Sequence, residues 1–158
     1  MVILVSACGF HLRGSGDTQS ARANLGVLSP LTITGGESDL SLRNQLGRAL
    51  KEAGVTISEQ SGGNVLVIEN AVRDRRVSSV GANGKVSEYE LYYAVTFSLS
   101  HVDGKNVLPS QTVNVVRNYA FNEQELLSKS VEQGRLYDDM RFDVVRMIVR
   151  RLQAQTKR

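Results

Sequence analysis

Residues 88–101 read EYELYYAVTFSLSH and alternate apolar with polar side chains along almost their whole length. Large apolar or aromatic side chains occupy every second position, and they are Tyr89, Leu91, Tyr93, Val95, Phe97 and Leu99. Because successive side chains of a β-strand point to opposite faces, this pattern predicts a strand with one buried face. The other face, which carries Glu90, Thr96 and Ser98, is expected to be wetter.

Further strands are predicted on both sides of this stretch. One covers residues 65–80, and the following Ala82-Asn83-Gly84-Lys85 carries the Asn-Gly pair typical of a type I′ hairpin. After the central strand, Asp103-Gly104 indicates a second tight turn, and Pro109 is expected to break the chain. A third long strand then covers residues 112–121, so we predict a meander of three long strands.

A shorter strand and a helix precede the meander. Residues 31–34 alternate as a strand, and leucines recur at helical spacing over residues 42–53. Ser38 or Asp39 is suited to cap this helix. Residues 55–57 predict one more brief strand.

The end of the chain predicts a second helix, from Ser130 onward. Its apolar stripe consists of Leu136, Met140, Val144, Ile148 and Leu152. Ser130 and Gln133 have the spacing of a capping box. The order of strand, helix, strands and helix predicts an α+β fold, a two-layer sandwich with two helices on one face of a mixed sheet.

The composition is that of one globular domain. The chain has 158 residues, of which 41% are hydrophobic and 22% are charged, and this is enough apolar material for a single core. One cysteine is present, so an internal disulfide is impossible and packing alone must hold the fold. The net charge of +3 favours anionic partners.

The single cysteine lies in the stretch Val5-Ser6-Ala7-Cys8-Gly9. Small side chains directly before a cysteine, with an apolar residue three positions upstream, are typical of a bacterial lipidation site. Each buried methylene contributes about 0.8 kcal/mol, so several acyl chains on one cysteine anchor a protein durably. We therefore expect a covalent lipid on Cys8, which argues against nucleic acid as a partner. The alternative is an unmodified, buried cysteine.

Three segments follow from this interpretation. Residues 1–7 are shorter than the apolar part of a signal peptide, about 7–15 residues, so we interpret them as the remnant of a longer lipoprotein signal. Residues 8–24 are the lipidated N-terminus and a flexible Gly/Ser/Thr/Gln-rich tether. Residues 25–158 form the single α+β domain. Gly9 stands where an aspartate would favour the inner membrane, so we expect the outer membrane, facing the periplasm.

The sequence carries no recognisable catalytic motif. Its two histidines, His11 and His101, lack partners at the spacing of a metal site or a proton relay. Gly14-Ser15-Gly16 begins like a dinucleotide fingerprint, but the third glycine position holds Gln19. We therefore expect a protein that is not an enzyme and that holds no metal and no cofactor.

Basic side chains are the remaining candidates for function. Arg73, Arg75 and Arg76 lie in one predicted strand, where alternation sends the first two to one face and Arg76 to the other. Lys85 follows the next turn, and Lys129 is placed in the turn before the last helix. Since guanidinium groups match phosphate oxygens, these residues are candidate contacts for an anionic glycolipid headgroup. The alternative is a solvated strand whose charges prevent edge-to-edge aggregation.

Several stretches resemble the LptE family, the lipopolysaccharide-assembly lipoproteins of Gram-negative outer membranes. Residues 8–14, CGFHLRG, are similar to the opening of the mature family members. The other matching stretches are Arg43-Asn44-Gln45-Leu46, Asn83-Gly84-Lys85, Ser87-Glu88-Tyr89 and Val116-Arg117-Asn118-Tyr119. Their order and spacing extend the resemblance over nearly the whole mature chain.

The resemblance implies two helices on a four-stranded sheet, forming a plug inside the β-barrel protein LptD. It implies that the protein assists the barrel's assembly, binds lipopolysaccharide and supports its insertion into the outer leaflet of the outer membrane. Some relatives carry a ligand-binding arginine at the hairpin tip, where this chain has Ala82. Lys129 matches a basic position before the final helix, so it becomes the first candidate for a lipid A phosphate contact.

Three other interpretations remain open. An outer-membrane lipoprotein that acts as a pilotin or assembly factor for a secretion pore would share the anchor but not the ligand. A basic nucleic-acid-binding module would have an affinity that falls steeply with salt. A periplasmic enzyme would need a catalytic constellation, which the sequence lacks.

Overall fold

A mixed sheet forms one layer of the protein and two helices form the other. The structure, a computed structural model, describes residues 25–60 and 62–156. Cys8, the tether and the proposed boundaries before residue 25 lie outside the described residues. Within the described part of the chain, no helix is long and apolar enough to cross a membrane.

The elements follow the predicted order. The strands are β1 (Leu31–Gly35), β2 (Asn64–Val80), β3 (Val86–His101) and β4 (Asn106–Ala120), and the helices are α1 (Leu40–Glu52) and α2 (Leu126–Gln155). Short 3-10 turns cover Leu25–Leu28, Glu37–Asp39 and Glu123–Glu125. The strands lie in the order β1-β2-β3-β4, with β1 parallel to β2 and the other pairs antiparallel. The prediction of two helices on a four-stranded mixed sheet is confirmed.

The core lies between the helices and one face of β3. The five side chains on this face that are fully buried are Leu91, Tyr93, Val95, Phe97 and Leu99. They pack in one cluster with the predicted stripe of α2 and with Leu42, Leu46 and Leu50 of α1. Burial of such side chains contributes about 1.5–3 kcal/mol each. The period-2 and helical patterns therefore identified the two surfaces that form the core.

Strand β2 is much longer than its parallel neighbour. The five residues of β1 pair only with Asn64–Ile68, so the rest of β2 has a partner on one side alone. The arginine cluster at residues 73–76 lies in this free-edge part. Exposed charges on a free edge hinder pairing with another strand. The predicted role of the arginines in edge protection is therefore compatible with the sheet topology.

The first hairpin uses a turn other than the predicted one, and the tight turn predicted at Asp103-Gly104 is confirmed. Gly84 N–H donates to Gly81 O and Gly81 N–H donates to Lys85 O, which makes a three-residue loop with Gly84 at φ +76°. Asn83 accepts from Lys85 N–H through its side chain at 3.1 Å. The same contacts recur between His101 and Lys105. The predicted hairpin is confirmed, but its type I′ turn is wrong, because the glycine takes the left-handed position that closes a longer loop.

The limits of three elements differ from the prediction. Residues 55–57 form no strand, since only Ile57 makes an isolated bridge, to Leu31. Pro109 lies inside β4, where an edge strand tolerates its missing N–H. Helix α2 begins at Leu126, and Ser130 Oγ donates to Leu127 O instead of forming a capping box. The predicted cap of α1 is confirmed at Asp39, which accepts from Leu42 N–H at 3.0 Å.

Candidate functional site

Most of the candidate cations lie toward one end of the sheet. This region, called the hairpin end below, consists of the β2–β3 turn (residues 81–85), the β4–α2 connection (residues 121–125) and the first turns of α2. Arg75, Arg76, Lys85 and Lys129 lie on or beside it. The long hairpin brings the strand residues here, because β2 and β3 both extend beyond β1.

Arg75 lies on the helix-covered face of the sheet. Its guanidinium carbon lies 4.5 Å from the ring centroid of Tyr89, and its Nη1 donates to Gln133 Oε1 at 3.0 Å. Both partners are uncharged. Within the described residues Arg75 makes no ion pair, so its positive charge is not neutralised there.

Three aromatic rings pack beside Arg75. Tyr89 stacks on Tyr119 at 5.9 Å between centroids and meets Phe121 edge-on at 4.9 Å. Tyr119 donates its hydroxyl to Gln133 Oε1 at 3.0 Å. Tyr119 is buried and the other two rings are half-buried. The cluster is thus mainly packed, but it reaches the surface through Tyr89 and Phe121.

Lys129 lies in the first turn of α2, so its predicted place in a turn before the helix is wrong. The reason is that α2 begins at Leu126, whereas the capping-box spacing at Ser130 had indicated a later start. Lys129 Nζ donates to Glu132 Oε2 at 2.8 Å. This hydrogen bond raises the pKa of Lys129, with smaller contributions from the charges of Glu125 and Tyr119. Lys129 and Arg75 therefore both lie near Tyr119, one cation paired and one unpaired.

Lys85 connects the two loops of the hairpin end. Its Nζ lies 2.6 Å from Glu123 Oε2, and this hydrogen bond raises the pKa of Lys85. An open groove of about 520 Å³ lies between these loops, lined by residues 81–83, 85–87 and 121–124. Ala82, at the position where some relatives carry an arginine, lines it without a charge. Lys85 is therefore the cation of this groove, and a carboxylate already pairs with it.

Arg76 points to the opposite face of the sheet from Arg75, as strand alternation predicted. Its Nε lies 2.8 Å from Asp74 Oδ2 and its guanidinium lies 5.5 Å from the ring of Tyr92. Neither α1 nor α2 packs on this face, since both contribute to the core on the other side of β3. Arg76 cannot share a ligand with Arg75 across the sheet, so the three arginines do not act as one row.

Arg73 is directed toward a buried carboxylate. Its Nη2 lies 3.6 Å from Asp39 Oδ2, and its guanidinium lies 5.9 Å from the ring of Tyr137. Asp39 is 5% exposed and also accepts the Tyr93 hydroxyl at 2.8 Å. Arg141 is 9% exposed, and its Nε lies 3.5 Å from Asp39 Oδ1. Arg73, whose side chain is 41% exposed, therefore lies at the edge of this buried cluster rather than at the hairpin end.

The Asp39 cluster joins the two helices to the sheet. Burial opposes the charge of Asp39, but hydrogen bonds from Leu42 N–H and Tyr93, with the charges of Arg141 and Arg73, hold its pKa below the usual value. Burial and the neighbouring carboxylate raise the pKa of Tyr93, so its hydroxyl stays a donor. The arrangement stabilises the fold, and Arg73 is its exposed member.

Sequence reasoning missed two members of these clusters. Gln133 was interpreted as part of a capping box, whereas it accepts hydrogen bonds from Arg75 and Tyr119. Arg141 was not singled out, although it follows Met140 directly in the apolar stripe of α2. A cation beside a buried stripe indicates a buried partner, since buried charges are normally paired. That signal was present in the sequence.

The described residues contain no cluster suited to metal chemistry. No group of three or more His, Cys, Asp or Glu side chains lies close enough to hold an ion in residues 25–60 and 62–156. His101 pairs with Asp103 at 3.1 Å on an exposed turn. The geometry of the hairpin end consists of stacking, ion pairs and hydrogen bonds, which suit binding.

Comparison with known proteins agrees with this architecture. The lipopolysaccharide-assembly lipoprotein LptE of Photorhabdus laumondii is 29% identical over 153 residues, which span 96% of this chain and 80% of that one. The solution structure of lipoprotein B from Nitrosomonas europaea has a TM-score of 0.72 and 26% identity, covering 80% of this chain and 83% of that one. Rare lipoprotein B from Shewanella oneidensis shares the fold, with a TM-score of 0.70, 24% identity and coverage of 78% and 93%. The lipopolysaccharide-assembly LptE family matches residues 28–152, and this chain belongs to that family.

Proposed function

We propose that the protein is a non-catalytic, outer-membrane lipoprotein that forms a plug in an LptD-type barrel. In this role it assists the barrel's assembly, binds lipopolysaccharide and supports its insertion into the outer leaflet. Membership of the LptE family supports the proposal, together with relatives that are themselves named lipoproteins. The lipid on Cys8 would hold the domain at the membrane, and residues 8–24 would give it reach.

The observation that carries the ligand-binding part is the pairing of cations with aromatic rings at the hairpin end. Lipid A presents phosphate groups on sugar rings. Arg75 offers an unneutralised guanidinium over Tyr89, and Lys129 lies one helical turn before Gln133, which accepts from both Arg75 and Tyr119. A guanidinium binds phosphate in a bidentate manner, and an aromatic face packs against the apolar side of a sugar. Arg75 and Lys129 are therefore the first candidate contacts, ahead of Lys85, Arg76 and Arg73.

Co-purification tests the plug role. Tagged, lipidated protein extracted from outer membranes in detergent is expected to carry a stoichiometric barrel protein of the LptD type, identified by mass. Recovery of the chain alone, or with a secretion pore, would contradict the plug role, and a pore would support a pilotin instead. The Cys8→Ala variant serves as the control for the anchor. It should leave the membrane fraction and still unfold cooperatively, because the core cluster of the described residues is built from side chains between Leu25 and Leu152.

Replacing Lys129 tests the ligand contact. Lys129→Ala is expected to weaken lipopolysaccharide binding about tenfold, the effect of one charge-assisted hydrogen bond, while the melting temperature stays nearly constant. The Glu132→Gln variant is the matched control, because it removes the carboxylate that pairs with Lys129 at 2.8 Å. It should strengthen binding by freeing the ammonium group. Unchanged affinity in both variants, measured by ligand titration, would remove Lys129 as a contact.

A further inference from the structure

A second groove lies at the far end of the sheet from the hairpin end, between α1 and the outer edge of β1. It encloses about 680 Å³ and is lined by β1, by one side of α1 and by Ile57, Ser58 and Glu59. Nothing in the proposed lipopolysaccharide role uses this groove. Its two walls differ in kind, since one is the backbone of an edge strand and the other is a helix with basic side chains.

The backbone wall is an interrupted strand pairing. Leu31 N–H donates to Thr56 O and Leu31 O accepts from Ser58 N–H, both at 2.9 Å, which is the start of a parallel ladder. The chain then turns away, as Ser58 Oγ bonds to Gln60 at 3.1 Å. In a β-strand the N–H and C=O groups of every second residue point to the same side. Ile33 lies two residues after Leu31, so its N–H and C=O groups point into the groove. In the described part of the chain no further strand continues the ladder there.

The helix wall is strongly positive. Arg43, Arg48 and Lys51 line the groove, and the only carboxylate among the lining residues is Glu59. None of the three cations forms an ion pair within residues 25–60 and 62–156. In contrast, Arg73, Arg76 and Arg141 each lie within 4 Å of a carboxylate. Unpaired cations beside an open strand edge are complementary in charge to an added strand that carries acidic side chains.

A glycine makes room between the two walls. Gly47 lies in the middle of α1, where glycine costs about 1 kcal/mol relative to alanine. A Cβ at this position would meet only Ile33 Cδ1, at 3.8 Å, so core packing does not require glycine here. The absent side chain widens the groove beside Ile33.

We propose that this groove binds an extended, acidic segment of another polypeptide, which adds to the edge of β1 as a further strand. Main-chain groups of the segment pair with Ile33 N–H and C=O, and its carboxylates face Arg48 and Lys51. This mode of recognition draws affinity from main-chain hydrogen bonds and specificity from alternate side chains. The proposal stands independently of the lipopolysaccharide site, since the two regions lie at opposite ends of the sheet.

The experiment uses the full chain and two synthetic peptides, one alternating Glu with Thr and one alternating Lys with Thr. The Glu peptide is expected to bind and to slow hydrogen exchange of the Ile33 amide, while the Lys peptide does not bind. Thr32 and Thr34 should be unaffected, because their amides already face β2. Exchange measured residue by residue by NMR distinguishes strand addition from loose charge attraction.

A matched pair of charge reversals completes the test. Arg48→Glu with Lys51→Glu should weaken binding of the Glu peptide at least about tenfold. Arg135→Glu with Arg150→Glu changes the net charge equally on exposed positions of α2 and should leave binding unchanged. Equal losses in both double variants, unchanged exchange at Ile33, no binding of the Glu peptide, or its displacement by millimolar inorganic phosphate would each overturn the proposal.

Discussion

Replacing Asp39 with alanine is expected to lower the free energy of unfolding by about 3 kcal/mol, because one buried carboxylate serves the Tyr93 hydroxyl, the Arg141 guanidinium and the cap of α1. The change leaves Arg141, which is 9% exposed, with Asp138 as its remaining carboxylate partner, 2.7 Å from Nη1. It also removes the acceptor of the Tyr93 hydroxyl and the cap of α1. A lost cap alone costs about 1 kcal/mol, so most of the effect comes from the interior charges.

Asp103→Ala is the matched control. Asp103 also accepts a backbone N–H, that of Lys105 at 3.0 Å, but it is exposed on a turn. Its loss should cost no more than about 1 kcal/mol. Denaturant unfolding of the two variants measures the difference. Similar losses in both would contradict the view that Asp39 is held by a buried charge cluster.

The pH dependence of stability provides a second readout for Asp39. Its folded pKa is held below the ordinary value of 3.8, so the unfolded state takes up a proton before the folded state does. The associated stability is present above that value and is lost as pH falls through the folded pKa. In Asp39→Asn the loss in this acid range should be smaller. Part of it will remain, because the pKa values of Asp74 and Asp143 are also lowered by their arginine partners.

Replacing Gly35 with alanine is expected to cost about 3 kcal/mol or more. Gly35 ends β1 at φ +73°, and a Cβ there would lie 2.2 Å from Ile68 O of the neighbouring strand. The left-handed conformation alone costs about 1–2 kcal/mol for alanine. The clash adds the cost of moving a backbone carbonyl that belongs to the β1–β2 ladder.

Gly54→Ala separates these two contributions. Gly54 has φ +89°, yet a Cβ there would meet nothing within 4 Å. We expect this variant to lose about 1–2 kcal/mol, from the backbone conformation only. If both variants unfold at the same denaturant concentration, the close approach to Ile68 has no energetic weight, and the prediction for Gly35 fails.

The long elements were predictable because each carries its own pattern. Residues 88–101 alternate over a whole strand, and α2 has an apolar side chain at every fourth position of its stripe, so burial of one face specifies both. The limits of the elements were less predictable. Ser130 and Gln133 have the spacing of a capping box, yet α2 starts four residues earlier, and Gln133 instead accepts from Arg75 and Tyr119.

The candidate site was predictable only in part. Strand alternation correctly separated Arg76 from Arg75. It could not distinguish Arg73 from Arg75, because both lie on the same face. Their roles diverge through α2 and the cap of α1, which bring Asp39 to Arg73 and Gln133 to Arg75. These partners are distant in the sequence, so no local pattern indicates them.

The family, the two-layer architecture and the buried faces follow from sequence, because motifs and hydrophobic periodicity are local properties of the chain. Tertiary structure alone assigns Arg73, Arg75 and Lys85 their partners. It pairs Lys85 with Glu123, brings Arg73 to the buried Asp39 and leaves Arg75 with uncharged neighbours. It also leaves the edge of β1 open beside Arg43, Arg48 and Lys51. The physical reason is that charge pairing and edge exposure depend on which distant elements become neighbours, and the packing of both helices on one sheet settles that choice.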